Sequence, residues 1–152
     1  MHIRGHLMFA IPLYVLSVRY LSDAVGVLLS PYFAVYCFLT MIGSLFPDVD
    51  WIIMRVYRRF GHRNPLTHSL FFPLLFFVLI SFFRIDYPVL LASYDAFIFG
   101  VASHLFGDLM QTSSLVWIRS RKYDNMWYFL NGFILLLLLY LTGFFRALQL
   151  AW

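Results

Sequence analysis

Residues 43–69 read G-S-L-F-P-D-V-D-W-I-I-M-R-V-Y-R-R-F-G-H-R-N-P-L-T-H-S, the one long break in an otherwise apolar chain. Two of the seven aspartates, Asp48 and Asp50, and two of the five histidines, His62 and His68, fall inside it. Carboxylates and imidazoles gathered at the edge of apolar segments suit a metal site. What flanks this stretch decides the kind of fold that holds them.

The 152 residues are 62% hydrophobic and 21% aromatic, and only 12% are charged. Mean hydropathy is +0.82. An average soluble domain is roughly half apolar and about a quarter charged, so too few charges are present here to solvate a globule of this size. The composition predicts an all-α, polytopic membrane helix bundle forming a single domain over 1–152. Every acidic residue is Asp. The absence of Glu removes metalloprotease signatures such as H-E-x-x-H. The single cysteine, Cys37, lies in an apolar run, so no intrachain disulfide forms and a packing role is the simplest.

A spanning helix needs about 20 apolar residues, fewer when its flanks snorkel. Working outward, the pattern predicts five spans. The first is short, at 7–21, and the second is 25–46, interrupted in character by Pro31 and closed by Gly43 and Pro47. Residues 51–60 fit a short interfacial helix with Arg55, Arg58 and Arg59 on one face. Asn64-Pro65 reads as a helix start, cap followed by first-turn proline, opening a third span at 65–83 that Pro73 kinks. His68 then falls in the first helical turn, where the helix dipole favours neutral imidazole. The fourth span, 89–108, carries Asp95 and ends in H-L-F-G-D; the fifth is 127–145.

Counting crossings brings the polar residues together. Two spans return the chain to its starting side, so His6, Asp48, Asp50, His62 and His68 share it; two more deliver His104 and Asp108 there. The same side holds Arg4, Arg55, Arg58, Arg59, Arg63, Arg119, Arg121 and Lys122, against Arg19, Arg84 and Arg146 opposite. Because positive charge concentrates in the cytoplasm, the N-terminus and the site are expected at the cytoplasmic face, with the C-terminus outside.

Each residue has a plainer reading. His104 and Asp108, four apart, stack on one helical face and offer an imidazole and a carboxylate, though a solvated helix end has the same spacing. Within membrane segments ionisable groups are usually functional, which favours ligation. Asp48 and Asp50 fit a solvated turn, but a cation would offset their repulsion, and one could orient a histidine rather than bind. His62 and His68 could cap or sit at an interface; a pair of them favours ligation. His6 reads equally well as an interfacial residue or a ligand, and His2 less so beside the terminus. Asp95 is a buried proton site or a partner to a polar group on another helix. The loop arginines orient the chain and contact anionic headgroups, and Arg63, nearest the histidines, could also clamp a phosphate. The basic set is small and hugs the bilayer, which argues against nucleic acid as a partner.

The elements G-H near the start, L-F-P-D-V-D, H-R-N-P-L-T-H-S and H-L-F-G-D resemble the LexA-regulated, membrane-bound metal-dependent hydrolases, the YdjM-like family. Thr112 stands where that family has a Thr after its H-x-x-x-D, and the likeness runs from His6 to about Trp117. More distantly, the order His, Asp, His, H-x-x-x-D is similar to zinc-dependent phospholipase C and single-strand nucleases. That similarity implies one ion held by Asp48 or Asp50, His62 or His68, and His104. Asp108 would then bridge to a second ion near His6. No His follows His104, so the ceiling is a mono- or di-metal site.

The resemblance therefore implies a hydrolase of the inner membrane with one or two divalent ions, zinc foremost. Its substrate would be a phosphoester of a lipid or other amphiphile at the cytoplasmic interface, and Asp50 and Arg63 are the expected catalytic groups. A divalent ion activates water at neutral pH, and Arg63 would stabilise charge on phosphate oxygens. The alternative is a non-enzymatic membrane protein whose metal- or proton-binding cluster serves transport or scaffolds a partner. An intramembrane protease is a third class, disfavoured by the missing Glu.

Overall fold

The computed structural model describes residues 3–21, 31–58, 61–83, 88–110 and 121–141. They form α1 (Ile3–Leu21), α2 (Pro31–Leu45), a 3-10 turn (Pro47–Val49), α3 (Asp50–Val56), α4 (Phe71–Phe82), α5 (Pro88–Met110) and α6 (Arg121–Leu141). The described residues are all-α. Among the described residues, one helix, Val89–Met110, is long and apolar enough to cross a membrane alone. The pair Pro31–Leu45 and Pro47–Val56, bent by 49°, passes the same test taken together, while Gly5–Arg19 and Phe71–Ile80 are shorter apolar helices.

α5 is the centre of the molecule. It packs most extensively against α2, then α6, and α1 lies across both α2 and α5. Small residues make this possible. Ala92, Ala96 and Ala102 are fully buried. At the crossing Gly43 faces the Phe97 carbonyl and Gly100 faces the Thr40 carbonyl, so closely that a Cβ on either glycine would collide with backbone. In lipid, such close backbone approach is what small residues contribute to helix association. The Thr40 hydroxyl donates to the Ala96 carbonyl at 3.1 Å across the same contact. Asp95 is buried beside it on α5.

Several boundaries differ from the sequence expectation. α1 begins at Ile3, before the predicted 7–21, which puts His6 inside the helix. The interfacial helix is Asp50–Val56 and stops at Tyr57, whose φ of −120° and ψ of 86° leave the helical region. Arg55 still lies over the Trp51 ring at 3.8 Å, whereas Arg59 falls outside the described residues.

The largest difference is at Asn64-Pro65. Asn64 does start a turn: its side-chain Oδ1 accepts from Leu66 N at 3.0 Å and its carbonyl from His68 N at 2.9 Å. The turn does not propagate, because Thr67 and His68 are held to Asp50 and the Leu70 N–H is taken by the Asn131 side chain at 3.0 Å. α4 therefore begins at Phe71 rather than Pro65. Pro73 falls in its first turn, where a missing N–H breaks no helical bond, so no kink is needed. α6 begins at Arg121, ahead of the predicted 127–145. Arg119, Thr112, Arg84 and Arg146 lie outside the described residues.

α4 makes no extensive backbone pairing with another described helix. It leans on Phe46, just past the end of α2, and on α5 through rings: Phe46–Phe72 and Phe46–Phe76 at 5.6 and 6.5 Å, Phe76–Phe97 at 6.2 Å. The Tyr94 hydroxyl donates to the Pro73 carbonyl at 2.6 Å.

Candidate metal centre

Five segments converge at one end of the α2–α5 contact: α1 brings His6, the 3-10 turn Asp48, α3 Asp50, the loop before α4 His62, Arg63 and His68, and α5 His104 and Asp108. His6, Asp50, His68, His104 and Asp108 are all buried.

The two central imidazoles are aimed by their second nitrogens. His104 Nδ1 lies 2.7 Å from the Ser44 carbonyl, which can only accept, so Nδ1 carries the proton and Nε2 the lone pair. His68 Nδ1 lies 3.1 Å from the Thr67 hydroxyl and 3.4 Å from Asp50 Oδ2; with the carboxylate as acceptor, Nδ1 carries the proton and Nε2 is the lone-pair nitrogen. Asp108 Oδ2 is 3.4 Å from His104 Nε2 and 3.5 Å from His68 Nε2. Asp48 Oδ1 is 3.9 Å from each of those nitrogens. Neither Nε2 makes a hydrogen bond.

Two lone pairs and two carboxylate oxygens facing one another in a buried space repel unless a cation sits among them. Ligand atoms about 2.0–2.1 Å from a tetrahedral ion lie roughly 3.3–3.4 Å apart. The observed 3.4–3.9 Å separations are close to that spacing. The residues present therefore fit a divalent cation, and Asp48, His68 and His104 form one group that could hold a metal ion.

Asp108 has a second side. Its Oδ1 is 3.6 Å from His6 Nε2 and 3.9 Å from Arg63 Nη2. The His6 ring stacks on His104, with centroids 3.8 Å apart and planes 11° from parallel, and neither His6 nitrogen is hydrogen-bonded. A ring nitrogen's lone pair lies in the ring plane, so two rings stacked this way do not point at one common ion. His6, His104 and Asp108 are nevertheless close enough to form a second group. Without reorientation, His6 turns to the other oxygen of Asp108.

Asp50 organises the loop. Its Oδ1 accepts from His62 Nδ1 at 2.8 Å; its Oδ2 accepts from Asn64 N at 2.8 Å and lies 3.1 Å from the Thr67 hydroxyl. Both oxygens are thus already engaged by protein donors, although Asp48, Asp50 and His62 also lie close enough to form a third group. Next to it, Arg63 adopts φ 62° and Gly61 φ 69°. A left-handed arginine is held there by its surroundings.

Burial sets the charge states in the loop. It pushes His68 well below the ordinary imidazole value, and the neighbouring His104 adds to this. Neutrality at His68 thus comes from desolvation rather than from the helix dipole, since His68 precedes the helix. Burial raises Asp48 above the usual carboxylate value, opposed by His104 and reinforced by Asp108.

All seven residues singled out from the sequence as ligands take part in at least one of these three groups. Several neighbours carried no sequence signal. Ser44 and Asn64 act through backbone carbonyls and a side-chain turn. Trp127 donates Nε1 to the His68 carbonyl at 2.8 Å, and Tyr128 lies edge-on to the His68 ring at 6.2 Å. Both read as ordinary aromatics of an apolar helix.

An all-α chain with one membrane-length helix among the described residues and a largely buried His–Asp cluster is a helical protein with a candidate metal centre. Residues 1–119 match the family described as YdjM inner membrane protein, and the chain belongs to that family. Comparison with curated proteins and with solved structures gave no match, and the likeness to phospholipase C and single-strand nucleases expected from the sequence is not shown.

Proposed function

We propose that this protein is a membrane-bound, metal-dependent hydrolase of a phosphoester in a lipid or amphiphilic substrate. The observation that carries this reading is that His68 Nε2 and His104 Nε2, buried and without hydrogen bonds, each lie 3.4–3.9 Å from Asp108 Oδ2 and from the partly exposed Asp48 Oδ1. These four would hold the ion, with zinc the best match to two imidazoles and two carboxylates. When bound, such an ion supplies Lewis-acid polarisation and water activation at neutral pH. Asp50 orients His68 and braces the loop, in the manner of a carboxylate behind a ligating histidine. Arg63, a quarter exposed beside Asp108, orients and neutralises an anionic group arriving from the open side, where Asp48 and His62 also reach solvent. His6 turns to the outer oxygen of Asp108 and is the residue available to a second ion.

The bundle crosses the membrane five times in this reading, α1 and α4 being short spans, and the excess of loop arginines supports a cytoplasmic position for the centre.

Elemental analysis of detergent-purified protein, with a phosphoester panel on wild type, His104→Ala and Asp108→Ala, tests it. Near-stoichiometric metal, and turnover that both substitutions abolish, are expected. Tightly held metal with no turnover would favour the transport or scaffold reading; no metal would remove the centre altogether.

A further inference from the structure

A groove of about 610 Å³ runs between α4 and α6, floored by the loop that carries His68. Its walls are Leu66, Leu70, Leu74 and Val78 on one side and Trp127 on the other, with Ser69 and Asn131 at the loop end. It exists because α4 leans on Phe46 and α5 by its rings and stands off α6.

Three observations limit what can occupy it. First, its polar atoms are already engaged. Ser69 Oγ donates to the Leu66 carbonyl at 2.9 Å, and Phe71 N lies 3.2 Å from it. Asn131 Oδ1 accepts from Leu70 N at 3.0 Å, and its Nδ2 donates to the Trp127 carbonyl at 2.8 Å. Trp127 Nε1 is held by the His68 carbonyl. A peptide or sugar placed here would lose water and find few partners, at roughly 2–7 kcal/mol for each stranded polar group; a hydrocarbon chain loses nothing. Second, the volume falls within the range of about 300–1,000 Å³ of ligand sites. Third, groove and centre are separated by a single layer of loop. Leu66 and Ser69 face the groove while Thr67 and His68, between them in sequence, face Asp50 and Asp108. On α6 the neighbours Trp127 and Tyr128 divide likewise, Trp127 lining the groove and Tyr128 meeting the His68 ring.

We propose that this groove takes one hydrocarbon chain of a bilayer phospholipid whose head lies at the histidine–aspartate centre. As a substrate site it rests on the hydrolase reading; as a lipid site it can be measured without any turnover. The outer face of α4, with Phe71, Leu75 and Val78 exposed, leaves the groove open laterally to the bilayer. The site thereby selects amphiphiles with a long chain over soluble phosphoesters.

The test uses the full chain in vesicles of phosphatidylethanolamine and phosphatidylglycerol, doped with a phospholipid bearing a diazirine on one acyl chain. Cross-links are mapped by mass spectrometry. Labelling is expected to concentrate at Leu66, Leu70 and Leu74, several-fold above Met8 and Tyr140, which are far more exposed at 79% and 71%. Tetradecylphosphocholine should compete it away and hexylphosphocholine should not, a comparison needing no variant. Leu74→Trp, filling the groove, should remove the labelling. Labelling that simply follows exposure, or that both competitors displace equally, overturns the proposal. Concentrated labelling in a protein inactive on every phosphoester keeps the lipid site and removes the hydrolase; turnover with labelling that follows exposure does the reverse.

Discussion

His104 Nδ1 is bound to the Ser44 carbonyl at 2.7 Å, tying the middle of the candidate centre to the last turn of α2. That carbonyl is available because the helix ends there and its final carbonyls lack intrahelical partners. One hydrogen bond thus satisfies a helix-end carbonyl, puts a proton on Nδ1 and aims Nε2 at Asp108. The contact depends in turn on how closely α2 and α5 approach, one residue from Gly43 and one helical turn from Gly100.

Gly43→Ala and Gly100→Ala should each be destabilising, since the added methyl meets backbone that cannot rotate away. Overpacking of this kind costs about 1–3 kcal/mol, occasionally more. Thermal unfolding in detergent should show a lowered midpoint. Bound metal should fall in parallel, because separating the helices withdraws the Ser44 carbonyl from His104. Alanine at Gly132, which would meet only the tip of the Phe106 ring, should cost less.

Asp50→Ala should weaken metal retention without removing one of the four proposed ligands. It strands the buried Asn64 N–H, at about 1–3 kcal/mol, and releases His68 Nδ1 and Thr67. Loss of such an orienting carboxylate typically costs 10–100-fold in metal affinity. Competition against a chelator measures it, and Asp50→Asn should lie between wild type and the alanine variant.

Arg63→Gly should separate stability from function. A left-handed backbone at φ 62° costs an arginine about 1–2 kcal/mol and a glycine almost nothing. The variant should unfold at an equal or higher temperature yet bind inorganic phosphate more weakly, whereas Arg63→Lys should keep the strain and lose the fork-shaped guanidinium. Phosphate titration by calorimetry alongside thermal melts checks both halves.

Metal-stripped protein should lose stability as pH falls below about 6.5. His68 has a folded-state pKa well below that ordinary value, so the unfolded chain takes up a proton that the folded chain refuses. The stability is present above 6.5 and declines below it, by up to about 1.4 kcal/mol per pH unit for one proton. Asp48 acts in the opposite sense: its raised value contributes stability below the unfolded value near 3.8, lost as pH rises through the folded one. His68→Gln should flatten the acid limb in pH-resolved thermal melts.

The helical class, the membrane family and the residue types of the candidate site were legible in the sequence because each rests on composition or local spacing. Apolar runs near bilayer length, H-x-x-x-D one helical turn apart, and P-D-V-D at a helix end need no tertiary information. The region 64–71 departs from its local helix signal for a physical reason. Asn-Pro is a sound helix start, and Asn64 does begin a turn, but Asp50 and Asn131 claim the donors that would have continued it. Local propensity lost to long-range hydrogen bonds spanning 14 to 61 residues.

By itself, then, the sequence determined that this chain is an all-α member of an inner-membrane family and that four of its histidines and three of its aspartates gather at one end. Which oxygen faces which nitrogen was decided only in three dimensions. Asp48 and Asp50 are two residues apart and chemically identical. One looks towards His68 and His104, while the other is saturated by His62, Asn64 and Thr67. The 3-10 turn at Pro47–Val49 and the start of α3 give the two side chains different directions. Nothing in residue type carries direction; only the packed backbone does.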